Sequence, residues 1–197
     1  FIFHHGMNFD HEGNIWTPGV KHEDGIIMPN TVSVDGSKID YRDDMVLSVD
    51  AKTGKTLYSK SLTSIFEEND LSELLNRGSI VTDPFHLNDV EPVVADSSRH
   101  FNKGDVFLSF RHLSAILQFR PSTGKVIKVI EGPFTYQHDV DIVNDSTFAL
   151  FNNNTVAMNM KFNKFEFKPS KDDIQRKITH SNVLIYKFET DSFEALY

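Results

Sequence analysis

A chain of 197 residues with 39% hydrophobic residues, 17 of them phenylalanine, can bury a sizeable core and does not have the composition of a disordered segment. Its formal charge of −8 disfavours nucleic acid, which needs a basic surface, and no apolar run is long enough to cross a bilayer. The lack of cysteine removes disulfides and thiolate metal sites, and fits either the cytosol or a secreted protein.

The chain begins at Phe1 inside an apolar, strand-like run. It reads as a processed, truncated or fragmentary chain, in which a removed signal peptide would be invisible. His5-Gly-Met-Asn-Phe-Asp opens a first unit, and a second apolar run follows at Asn14-Ile15-Trp16. Pro29-Asn30 and Gly36 mark loops. Asp44 to Asp50 alternates as a strand, Lys52-Thr53-Gly54-Lys55 supplies a turn, and Thr56 to Ser59 returns as a hairpin partner. Residues 63–77 break the strand pattern. The spacing of Ile65, Phe66, Leu71, Leu74 and Leu75, with Ser64 or Asn69-Asp70 as caps and Gly78 as terminator, predicts one or two short helices.

A second unit opens at His86-Leu-Asn-Asp-Val-Glu and continues through Asp105 to Phe110 and Ala115 to Phe119. Ser122-Thr123-Gly124-Lys125 repeats the earlier turn and leads into Val126 to Ile130. A third opens at His138-Asp-Val-Asp-Ile-Val, followed by Thr147 to Phe151 and Val183 to Phe188. The turn Glu189 to Ser192 then leads to Phe193 to Leu196. Residues 162–177, rich in Lys and Phe, read as a long loop or insertion. Each unit thus holds a His strand, two further strands, a turn and a fourth strand. Repeated four-stranded meanders are the mark of propeller blades. The expected fold is all-β: one β-propeller domain, or a fragment of one, with three blades at about 1–62, 84–131 and 134–197. Three blades are half of a typical closed ring. The exposed blade edges would be covered by further blades or by a second copy of the chain.

The first strand of a propeller blade lines the central channel, which brings His5, His86 and His138 around one funnel. Imidazole suits proton transfer, nucleophilic attack and metal binding near neutral pH. Asn88, two residues after His86, shares its face in an extended strand and offers an amide to an anion. Arg111 ends the run Phe107 to Phe110 and suits an oxyanion. Its neighbour His112 points away if the segment is extended and is read as structural. Of His4 and His5, the repeat favours His5. His11, His22, His100 and His180 fall in loop-like settings and are expected at the surface. Zinc is the competing ligand for converging histidines. No His-x-His or His-x-x-x-His pair supports it, and Arg111 would repel a cation, so the reading assigns no metal.

Together, His4-His5, Asp83-Pro84-Phe85-His86-Leu87-Asn88, Ser109-Phe110-Arg111-His112-Leu113-Ser114-Ala115-Ile116, Thr123-Gly124-Lys125 and Tyr136-Gln137-His138-Asp139 resemble the PAPS-independent bacterial arylsulfotransferase family over roughly residues 1–155. That resemblance implies a six-bladed propeller in a periplasmic or secreted enzyme that moves a sulfuryl group from an aryl sulfate to a phenol. It implies that His138 becomes transiently sulfated and that His5, His86, Asn88 and Arg111 hold the sulfuryl oxygens, with His4 as a further substrate contact. No cofactor, nucleic acid or membrane partner is implied. Two alternatives stay open: a non-catalytic propeller that binds an anionic ligand or a protein partner, and a metal-dependent propeller hydrolase or lyase.

Overall fold

The computed structural model describes residues 1–20, 27–32, 38–77, 83–154 and 181–196. Its first sheet contains β1 (Ile2–Phe3), β2 (Asn8–Phe9) and β3 (Ile15–Val20). A separate ribbon, β4 (Ile27–Val32) with β5 (Lys38–Asp40), follows in the chain before β6 (Asp44–Val49) and β7 (Thr56–Ser61) complete the first sheet. The first sheet runs β1-β3-β6-β7, and β2 also pairs with β3, so the expected His strand is split into two pieces on the same partner. The second sheet is a meander of β8 (Leu87–Pro92), β9 (Val106–Phe110), β10 (Ala115–Arg120) and β11 (Lys125–Glu131). The third is β12 (His138–Asn144), β13 (Thr147–Asn152), β14 (Asn182–Lys187) and β15 (Ser192–Leu196). These are the three antiparallel blades expected from the repeats. Gly54 (φ 71°) and Gly124 (φ 69°) adopt the left-handed backbone that the two Thr-Gly-Lys turns require.

The helical insertion is present as α1 (Leu62–Glu68) and α2 (Ser72–Arg77). Its caps differ from expectation. The Ser61 side chain accepts from the Ser64 N–H and caps the N-terminus, and Asn69 is the C-cap. Strand β7 runs directly into the helix, so the capping hydroxyl comes from the last strand residue. Leu62, Ile65, Phe66, Leu74 and Leu75 pack with Trp16, Phe85, Phe110 and Leu117 between the first and second blades. Asn69 also ties the helices to the second blade: it donates to Gly124 O at 3.0 Å and accepts from Val126 N at 2.9 Å. Gly78, His22, His180 and the loop expected at 162–177 lie outside the described residues.

Alternation along β9 and β10 builds the two inter-blade cores. Val106, Leu108 and Leu117 face the first blade, while Phe107 and Ile116 join Val140, Phe148, Leu150 and Tyr186 of the third. Buried polar side chains stitch the blades at their inner strands. Asp44 accepts from Leu87 N at 2.8 Å. Asp89 accepts from Asn8 Nδ2 and from Val140 N, both at 2.8 Å, and so joins all three blades. Gln137, fully buried, donates to Ser109 Oγ, Phe110 O and Ala115 O. Among the described residues, no helix is long and apolar enough to cross a membrane.

Candidate functional site

The three repeated histidines meet, and the backbone explains how. Each lies where the first strand of its blade is irregular. His5 (φ 61°) occupies the gap between β1 and β2, and His86 (φ 52°) directly precedes β8. His138 begins β12 between Tyr136 (φ 54°) and Asp139 (φ 50°), with a register shift before Val140. Left-handed backbone is costly for residues with a Cβ and collects at functional sites. The His5 ring centroid is 4.9 Å from that of His86 and 6.3 Å from that of His138. One ring nitrogen of each lies within 4.8 Å of those of the other two.

Each imidazole is held through Nδ1. His138 Nδ1 lies 3.1 Å from Tyr136 O, a contact that the tautomer with its proton on Nδ1 and its lone pair on Nε2 satisfies, since a carbonyl only accepts. Asn153 Nδ2 donates to Tyr136 O at 2.6 Å and lies 3.0 Å from the same ring nitrogen. His86 Nδ1 contacts Asp83 Oδ2 at 2.5 Å. His5 Nδ1 contacts His4 Nδ1 at 2.7 Å. Burial disfavours the charged form of two of the rings. Desolvation lowers the His5 pKa to about 4, aided by the charges of His86, His4, His138 and Arg42. Burial also lowers His138, aided by Arg111 and His86. Burial alone would raise Asp83, but the His86 hydrogen bond and nearby cations hold it below the usual carboxylate range.

His4 stands behind His5. Its Nε2 lies 2.8 Å from Arg42 and 3.4 Å from Asp44, so both its nitrogens are engaged. Arg111 is anchored beside the cluster: its guanidinium lies 4.5 Å above the Tyr136 ring, and Nη1 is 2.7 Å from His112 Nε2.

Three expectations need correction. His112 belongs to the cluster: its ring centroid is 4.7 Å from that of His86, and its Nδ1 donates to Asp83 O at 2.7 Å. Residues 111–114 form a turn, so strand alternation does not turn His112 away from its neighbour. Asn88 does not share a strand face with His86, because His86 is left-handed and outside β8. Asn88 is buried and donates to Gln137 O at 2.6 Å, while its Oδ1 has no protein partner among the described residues. His100 is half-buried rather than at the surface, stacked on Phe188 at 5.2 Å and paired with Glu189. His11 is exposed as expected.

Sequence reasoning also missed several supporting residues. Asp83 and Tyr136 stood only inside the motifs of His86 and His138, with no role of their own, and Asn153, which lies 3.0 Å from His138 Nδ1, carried no signal. Arg42 carried no signal, since it lies 38 residues after the His4 it contacts and no local pattern links the two.

The fold and these residues define a β-propeller that gathers histidines and an arginine where the first strands of its blades begin. The chain matches the family model described as Arylsulfotransferase (ASST) over residues 1–197, and it belongs to that family. A comparison with curated proteins finds no match. The family makes the protein a sulfotransferase-like enzyme at the level of reaction class.

Proposed function

We propose that the protein transfers a sulfuryl group from an aryl sulfate to a phenol through a sulfated His138. The observation that carries the reading is the setting of His138: Nδ1 faces the Tyr136 carbonyl at 3.1 Å and the ring clusters with His5 and His86, so the tautomer protonated on Nδ1 presents Nε2 as the nucleophile. In the first step Nε2 attacks sulfur, an N–S bond forms, and the S–O bond to the aryl group breaks. The leaving oxygen takes a proton from His86, which Asp83 backs through Nδ1. In the second step a phenol oxygen attacks the same sulfur, its proton returns to His86, and the N–S bond breaks, regenerating His138. The positive charge on the sulfated ring is met by Tyr136 O. His5 and Arg111 hold the sulfuryl oxygens, where preorganised donors are worth most. Asn88, its amide spent on Gln137, serves by fixing the backbone before His138. His4 positions His5. No cofactor is required.

On this reading the exposed blade edges are covered by additional blades or by a second copy, and family membership supports a periplasmic or secreted location. The test is incubation with a chromogenic aryl sulfate and a phenol acceptor, followed by peptide mass spectrometry after donor alone. Transfer, with one SO3 on the His138 peptide, is expected. No transfer and no modified His138 would leave a non-catalytic anion-binding propeller in its place.

A further inference from the structure

We infer that His5, His86 and His138 also form a binding site for a divalent transition-metal ion, zinc foremost, whose occupancy excludes the sulfate ester. The exclusion rests on the sulfuryl-transfer reading; the metal site itself does not. Zinc takes neutral imidazole nitrogens at about 2.0–2.1 Å, which places tetrahedral ligands about 3.4 Å apart. The three ring nitrogens already lie within 4.8 Å of one another, so small side-chain rotations close the set. The ligands come from three separate blades, which is why no short His-x-His spacing announces the site.

The groups behind the ligands suit a metal as well. Metal-binding histidines characteristically donate their second ring N–H to a carboxylate or a carbonyl, which fixes the ring and raises its basicity. His86 has the Asp83 carboxylate on Nδ1 at 2.5 Å, and His138 has the Tyr136 carbonyl at 3.1 Å. His5 has its Nδ1 against His4 at 2.7 Å, and His4 is in turn held by Arg42. All three rings thus keep Nε2 for a ligand. A neighbouring group, Asp83, His86 and His112, is equally close-set but is not available in the same way. His112 gives Nδ1 to Asp83 O and has Nε2 2.7 Å from Arg111. The cation expected to repel a metal is held by that contact and by Tyr136 at 4.5 Å. Three protein ligands leave a fourth position to water.

The test uses the whole chain after chelator treatment. Zinc binding is followed by calorimetry, and Co2+ binding by the visible absorption of a tetrahedral cobalt centre. One ion per chain is expected. His5→Ala, His86→Gln and His138→Gln should each abolish it, Asp83→Asn should weaken it about 10–100-fold, and His112→Gln should retain it. In the transfer assay zinc should raise KM for the aryl sulfate and leave kcat unchanged, with chelator restoring the rate. No binding, or binding indifferent to His138→Gln, overturns the site and leaves sulfuryl transfer standing. Binding by a chain that transfers nothing when metal-free upholds the site and sinks the transfer reading. A rate that needs zinc overturns the exclusion.

Discussion

The second and third blades have the same strand order but live in different surroundings. β9 is buried at every residue and β10 at all but Arg120, because a neighbouring blade covers each face. β13 and β14 bury alternate residues, and β15 has exposed Ser192, Glu194 and Leu196. Phe148 and Leu150 face the second blade, whereas Phe151 and Val183 remain open to solvent. The same repeat therefore yields a hydrophobic run or an alternating strand according to what packs on it. The candidate site divides along the same line: the middle blade supplies His86, Arg111 and Asp83, and the third blade supplies His138, the nucleophile of the proposed reaction.

His138→Ala should break the comparison most sharply. If His138 is sulfated as proposed, its loss should cost at least about 10⁴-fold in transfer rate, measured with a chromogenic donor, while the melting temperature stays near that of the parent. Phe107→Ala, between the second and third blades, should lower stability by about 3–5 kcal/mol in urea titration. Arg111→Ala should reduce kcat by about 10²–10³-fold and leave His138 able to accept the sulfuryl group slowly, as seen by mass spectrometry.

A gentler contrast comes from the inner strands. Burial raises Asp89 to about 7, with the charges of Asp139 and Asp141 adding to the effect, and raises Glu91 to about 8, aided by Asp89 and Asp141. Both carboxyls are thus more easily kept protonated in the folded chain than in the unfolded one. Their contribution is complete below about pH 4 and is lost as pH rises through 7 and 8. Glu91→Gln should flatten the fall in stability over that window in denaturant titrations at several pH values. The smallest effect belongs to the open face of the third blade, where Phe151→Ser should shift stability of the isolated chain by no more than about 0.5 kcal/mol.

Much of this molecule is legible in its sequence because strand, turn and helix signals are local. The Thr-Gly-Lys hairpins, the third-blade strands and the insertion near 63–77 all follow from short-range pattern. The histidine positions follow from their place in the repeat. What sequence misplaced depends on backbone that departs from the strand. The reading of Asn88 and His112 used strand alternation across His86 and Arg111, where the chain is left-handed or turning. Asp83 and Arg42 act through space, on His86 and on His4, and no periodicity encodes a partner in another turn or another blade.

Asp89 carries a consequence for how the protein comes apart. One carboxylate receives hydrogen bonds from Asn8 in the first blade and Val140 in the third while belonging to the second. Opening the third blade leaves that carboxylate without the Val140 amide in a dry setting, a penalty of about 1–3 kcal/mol for an orphaned buried group. Partial opening of that blade is thereby disfavoured relative to complete unfolding. Deuterium uptake at Val140 should accordingly track global unfolding, while the amides of β15 exchange early through local fraying.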